Sequence, residues 1–359
     1  ETKRNSDNFW SDDWVELNID PSCSYLGGYI FYLNPRGARN ESVPGGAAEK
    51  VEWRGDWRGA ARIVEDGWIA GYAIPFSILR YSGGASRFLF NLCRRIARED
   101  REVDWPPMPN DQWDKYQKAE WVGLETPYIR HPPKVMAYAT AEAGKERSGA
   151  HSGVDAKQAY EPDTTALVSY NPDFENVENE VESIAFTYGE KWVAERRTFF
   201  TEGESYDAPS YLFYSRRIPQ FDVGVKVFGR RTGLSFSALD AVNFGERNDL
   251  ALAGEYEFNA QHRVSGSYVG ADWEGMHNRA FAAEYSYHHP VRNGRVSCGA
   301  EVTGSATAGP GGDGMVQFYH AGFSPAAGYP GFSVSYEDHP REYNAVDGHR
   351  EESGLRGWE

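Results

Sequence analysis

The chain has 359 residues and a formal net charge of -16, which is room for two domains but a poor match for nucleic acid, since phosphate backbones are held by clustered Lys and Arg. Its 38 glycines, 22 tyrosines and 14% aromatics lean toward β architecture and away from helix bundles. Three widely spaced cysteines with no CxxC indicate neither a zinc site nor a disulfide framework, and no window of about 18 apolar residues forms a transmembrane helix. The N-terminal residues do not read as a signal peptide.

In chain order, "WVELNID" and "GGYIFYLNPRG" read as strands ending in turn residues. "ARIVEDGWIAGYAI" reads as two strands about an Asp-Gly hairpin turn, "IPFSILR" as a single helical turn, and "SRFLFNLCRRIAR" as a further apolar run. This spacing of short strands predicts an antiparallel sandwich over residues 1–130. A Pro-Pro pair in "HPPK" marks a boundary, and residues 135–359 form the second region.

That region alternates with a period of two. In "LALAGEYEF", Leu250, Leu252, Tyr256 and Phe258 share one face and Glu255 and Glu257 the other. Phe281, Tyr285 and Tyr287 oppose Glu284 and Ser286, and Val296, Ala300 and Val302 oppose Ser297, Glu301 and Thr303. Strand windows separated by Gly, Asn, Asp and Pro predict an antiparallel meander, and windows of roughly 9 to 11 residues with aromatic ends suit tilted transmembrane strands. Periodicity alone does not separate a soluble meander from a membrane barrel. The fold expected is all-β throughout.

Three stretches carry a resemblance: an Asn-Pro-Asp-Phe turn at Asn171 to Phe174, a run matched at Glu195, Arg197, Phe199, Phe200, Glu202 and Gly203, and a Phe-Tyr-Ser-Arg-Arg-Ile box at Phe213 to Ile218. Together with "SDDWVELNIDP", "YIFYLNPRG", "FNLCRRIARED" and the tail "REYNAVDGHREESGLRGW", they resemble a bacterial family of unknown function. In that family a sandwich similar to family 9 carbohydrate-binding modules precedes an outer-membrane β-barrel. Arg196 stands where the family usually has lysine. Members carry further strands before "SDDW" and after "SGLRGW", so the resemblance implies a chain that begins inside the sandwich and stops inside the barrel. It implies an outer-membrane location in a Gram-negative-type bacterium, with the N-terminal domain periplasmic or extracellular.

In a barrel, charges turn to the lumen, so Glu195, Arg196, Arg197, Glu202, Arg216 and Arg217 are expected to form a charge network there, with Phe199 and Phe200 against the wall. Sugars stack their apolar C–H faces on exposed aromatic rings. The glycan candidates are Trp53 and Trp57 in "EWRGDWRGAAR", Trp105, Trp113 and Tyr116 in "DWPPMPNDQWDKY", and Arg94 as a clamp. Trp14 and Trp68 lie in strand patterns and are assigned to the core. Asp12 and Asp13 offer two calcium-type oxygens, too few for a site, so no cofactor is assigned and calcium stays open. The His288-His289 pair precedes a proline at an expected turn and is a weak metal candidate.

The expected function is glycan or oligosaccharide binding at the outer membrane, coupled to uptake, without catalysis. The partners are a glycan, outer-membrane lipid and other envelope proteins, with no nucleic acid. A structural or assembly subunit of an envelope complex is one alternative. A glycoside hydrolase using Glu202, Glu204 and Asp207 is another, with no GxSxG, HExxH or P-loop signature to support other hydrolase or nucleotide chemistry.

Overall fold

The computed structural model describes residues 7–24, 28–42, 56–107, 118–129, 131–143, 148–160, 163–174, 194–259, 261–291, 294–308, 313–325, 330–340, 343–348 and 355–358. They fall into two units: Glu1–Arg130 with Glu161–Asp163 and Arg230–Gly233, and His131–Tyr160 with Thr164–Gly229 and Leu234–Glu359.

The first unit contains β1 (Trp14–Asp20), β2 (Tyr29–Leu33), β3 (Arg39–Ser42), β4 (Arg58–Val64), β5 (Gly67–Ala73), β6 (Arg87–Ile96), β7 (Arg101–Trp105) and β8 (Ala119–Val122). Six of these form one antiparallel sheet in the order β3-β2-β1-β6-β7, with β8 also on β6. The strands β4 and β5 pair only with each other, and their register from Arg58↔Ala73 to Val64↔Gly67 leaves Glu65 and Asp66 as the hairpin turn, one residue before the expected Asp-Gly pair. Strand alternation puts Leu17, Ile19, Tyr29 and Phe31 on one face, where they pack with Trp57, Leu79, Tyr81 and Phe88. Burying each such side chain stabilises the unit by about 1.5–3 kcal/mol before entropy is counted.

The opposite face carries a polar row that crosses four strands, Tyr32, Glu16, Cys93 and Asp104, each the register partner of the next. Burial pushes the Glu16 carboxyl up to about 7; the bond from Tyr32 opposes this, and the charges of Asp104 and Glu102 add to it. Burial likewise raises the Tyr32 phenol and the Cys93 thiol.

The second unit is one twelve-stranded sheet: β9 (Lys134–Ala143), β10 (Ser148–Tyr160), β11 (Thr164–Tyr170), β12 (Val223–Arg231), β13 (Leu234–Asn243), β14 (Arg247–Glu257), β15 (His262–Trp273), β16 (Met276–Val291), β17 (Gly294–Ala308), β18 (Gly314–Pro325), β19 (Phe332–His339) and β20 (Leu355–Trp358). Each strand lies beside its neighbours in sequence, so the sheet is a meander. Tight turns make this possible. Between Trp273 and Met276, Glu274 (φ 43°) and Gly275 (φ 77°) both adopt left-handed backbone, the requirement of the hairpin turn that matches strand twist. Among the described residues the edge strands β9 and β20 are not paired with each other, so the barrel expected from the sequence is not closed here. The His288-His289 pair is also placed differently from the turn expected for it. Strand β16 runs on through Pro290 to Val291, because Pro290 sits opposite Arg295 at the strand's end.

Two long stretches of chain lie against one face of this sheet, here called the inner face. One is 194–222, which includes a four-residue helix, Thr198–Thr201; the other is 343–348. Phe199, Phe200, Leu212, Phe213, Ile218 and Phe221 form a core with Ala241, Ala251, Ala280, Ala282, Leu239 and Val269 of the strands. Small strand residues leave the depth that the phenyl rings fill. Gly203 is the tightest point: its backbone is left-handed (φ 69°), and a Cβ there would lie 2.4 Å from the Phe228 ring.

Candidate functional site

The inner face is covered and mixes small apolar with polar and charged residues, while the outer face is largely apolar and open. On the outer face Leu252, Tyr256, Phe281, Tyr285, Val296, Tyr319 and Val334 are all exposed. Alternate residues on the inner face, among them Ser237, Asn278, Ser286, Thr303 and Ser305, are buried. Charged exceptions on the outer face include Asp240 on β13, opposite Leu250, and Asp272, which pairs with Arg279 (2.7 Å) and His277 (2.6 Å) beside the β15–β16 turn.

Charges on the inner face are paired across the space between wall and covering segment. Lys226, fully buried on β12, donates to the Phe200 carbonyl (2.9 Å) and to Asp207 Oδ2 (2.6 Å), whose other oxygen accepts from Ser237 (2.6 Å). Lys157 on β10 donates to both oxygens of Glu202 at 2.7 Å. Arg247 on β14 holds Asp249 at 2.8 Å and also Asp347, while Tyr211 donates to Glu301 on β17. The second covering stretch is tied by Asn278, which donates to the Asn344 carbonyl (3.0 Å) and accepts from the Val346 N–H (3.2 Å).

Within the covering segment, Arg197 forms a two-pronged bridge to Glu195 (Nε–Oε1 2.9 Å, Nη2–Oε2 2.6 Å) and also donates to the carbonyls of Ile218 and Ser215. Its guanidinium lies over Phe200 at 4.3 Å and Phe174 at 4.8 Å. Burial alone would raise the Glu195 carboxyl, but the bonds from Arg197 and Ser215 outweigh it and hold the group low. Of the residues expected to form one network, Glu195 and Arg197 are joined. Arg196 meets Glu195 through its backbone N–H, and Arg216 donates to the Ala194 carbonyl. Glu202 departs from the expectation, since its partner is Lys157 on the wall. Arg217 closes the one-turn helical box after Tyr214.

A pocket of about 260 Å³ opens among Glu195, Phe200, Glu204, Asp207, Ser210, Tyr214 and Ser215. Its acids are engaged. Glu202 is bound to Lys157 and Asp207 to Lys226, and burial pushes the Asp207 carboxyl up against the opposing pull of that lysine. Among the described residues no group of three or more His, Cys, Asp and Glu could hold a metal ion. Asp13 accepts the Ala97 N–H (2.6 Å) and Asp12 accepts from Asn34 (3.2 Å), so both serve the local fold.

The glycan candidates of the first unit separate sharply. Trp57 is only 1% exposed, stacked with Tyr72 and donating its indole N–H to Glu41, so it presents no platform; burial beneath the β4–β5 hairpin corrects that assignment. Trp53, Trp113 and Tyr116 lie outside the described residues. Trp105 is 51% exposed, and its ring lies 5.4 Å from Phe90. Trp121, which the sequence reading did not single out, is 48% exposed and lies 5.9 Å from the same Phe90 ring. They converge because β7 and β8 both pair with the same edge of β6, Trp105 opposite Leu92 and Trp121 opposite Phe88. Arg94 shares this face, opposite Val103. The phase of Phe88, Phe90, Leu92 and Arg94 in "RFLFNLCRR" carried that signal; nothing local in "AEWV" placed Trp121 beside it.

No protein-family model matches the chain, and no curated protein matches it. Among solved structures the chain is similar to the crystal structure of Pseudomonas aeruginosa OccK9 (OpdG), with a TM-score of 0.28 and 11% identity over 90% of this chain and 66% of that chain. At that score the likeness bears no weight for fold or function.

Proposed function

We propose that the second unit is the wall of an outer-membrane β-barrel and the first a glycan-binding domain, together an envelope protein that captures oligosaccharide at the membrane for uptake and performs no chemistry of its own. The observation that carries the membrane reading is the open apolar face of the twelve-stranded sheet, set against a covered face that holds its paired charges. From β12 to β18 the strands run 9 to 16 residues, long enough to cross the hydrocarbon layer at a tilt. The segment 194–222 would occupy the lumen, where paired charges are tolerated. In lipid the edges β9 and β20 must be paired, with each other or with further strands, because open edges leave unmet backbone groups. The glycan reading is supported by the exposed Trp105–Phe90–Trp121 face.

The test is fractionation of the natural gene product, with gel mobility before and after heating in detergent. A heat-modifiable species in the outer membrane is expected. A soluble product whose mobility ignores heating would overturn the membrane reading.

A further inference from the structure

We infer that the face built by Phe90, Trp105, Trp121 and Arg94 takes an anionic oligosaccharide, stacked on the two tryptophans with a sugar carboxylate on Arg94; this deepens the glycan reading and rests on it. The register fixes the geometry. Trp105 stands opposite Leu92 and Trp121 opposite Phe88, so the two indoles are roughly 13 Å apart along β6, at about 3.3 Å per residue, with Phe90 between them. That separation suits a chain of sugars better than a single ring. Apolar area is continuous here, because Val103 is exposed beside Trp105.

Arg94 gives the face its sign. It stands two residues beyond Leu92 on the same side of β6, is exposed, and has neither a hydrogen-bond nor an ion-pair partner among the described residues. The acids nearby face away. Glu102, Asp104 and Glu120 alternate to the opposite side of the sheet, where Glu102 bridges Arg95 (3.3 Å) and Glu120 bridges Arg87 (3.1 Å). The result is an aromatic strip with one free guanidinium in an otherwise acidic protein of net charge -16. A planar guanidinium with no internal partner matches a carboxylate in two-pronged geometry, and exposed aromatic faces match the C–H side of a sugar. A neutral glycan would use the rings and leave Arg94 idle.

The experiment measures binding of the full chain, in detergent micelles, to a galacturonic acid hexamer and to the same hexamer after reduction of its carboxyl groups. The expected result is preference for the acidic form by about tenfold, weakened by salt. Arg94→Gln should erase the preference for the acidic form, while Trp105→Ala and Trp121→Ala should each weaken both forms by about tenfold. Equal binding of the two hexamers, with both tryptophan effects intact, overturns the anionic assignment and leaves the glycan reading standing. No binding of either, or binding indifferent to both tryptophan changes, overturns the site itself.

Discussion

The two sheets of this protein obey opposite rules of burial. In the first unit the apolar alternates at the centre of the sheet are hidden, Phe31 being fully buried, those at the β7–β8 edge are open, and the polar row of Glu16, Tyr32 and Asp104 lies on the other face. In the second unit the apolar alternates of the outer face are open, Phe281 being 46% exposed, while the inner alternates are hidden, Thr303 being 3% exposed and Val269 2%. A sheet in water hides its apolar side; a sheet whose outer surroundings are lipid does not. The same alternating pattern in sequence therefore has two meanings, and what tells them apart is what covers the polar side. In the second unit the cover is a chain segment cross-linked by charges, with the cations Lys157 and Lys226 on the wall and the anions Glu202 and Asp207 on the segment.

That contrast can be broken at several points. The largest effect is expected at the hidden apolar side of the first unit, where Phe31→Ala should lower unfolding free energy by about 3–5 kcal/mol, whereas Phe281→Ala in the second should cost less than about 1 kcal/mol in detergent. Denaturant titration of both variants checks this. Asp207→Ala leaves the fully buried Lys226 ammonium without its counter-charge and should cost about 3–5 kcal/mol. Asp207→Asn with Lys226→Met, which removes both charges, should recover most of that loss. An arginine at Phe281 should destabilise the bilayer-inserted protein by about 2–4 kcal/mol and have little effect in water-like detergent.

A pH-dependent effect belongs to the polar row. The Glu16 carboxyl, at 4.5 when unfolded and about 7 when folded, favours folding in full below pH 4.5. That contribution is lost as pH rises through 7, so Glu16→Gln should flatten the stability profile between pH 5 and 8 by about 1–3 kcal/mol.

How much of this was legible beforehand follows from the range of each signal. Strand alternation is local, so the faces of "LALAGEYEF" and "VSCGAEVTG" could be read directly, as could the β4–β5 hairpin and the one-turn helix of "IPFSILR". Ion-pair partners are not local. Glu202 meets Lys157 and Asp207 meets Lys226 only once the segment folds back across the strands, and nothing near "RRTFFTEG" names those lysines. Trp57 resembled Trp105 in its charged surroundings, yet the Glu41 side chain that accepts its N–H lies on β3 and draws it inside. Trp121 was missed because its exposure depends on β8 returning to the edge of β6 that β7 already lines.

The central claim is that the outer face of the second unit meets lipid, and single fluorescent labels read it most directly. With the protein reconstituted in bilayers of brominated lipid, a label on cysteine at position 281 should be strongly quenched and one at position 303 should not. Both positions unquenched, or both quenched alike, would contradict the account.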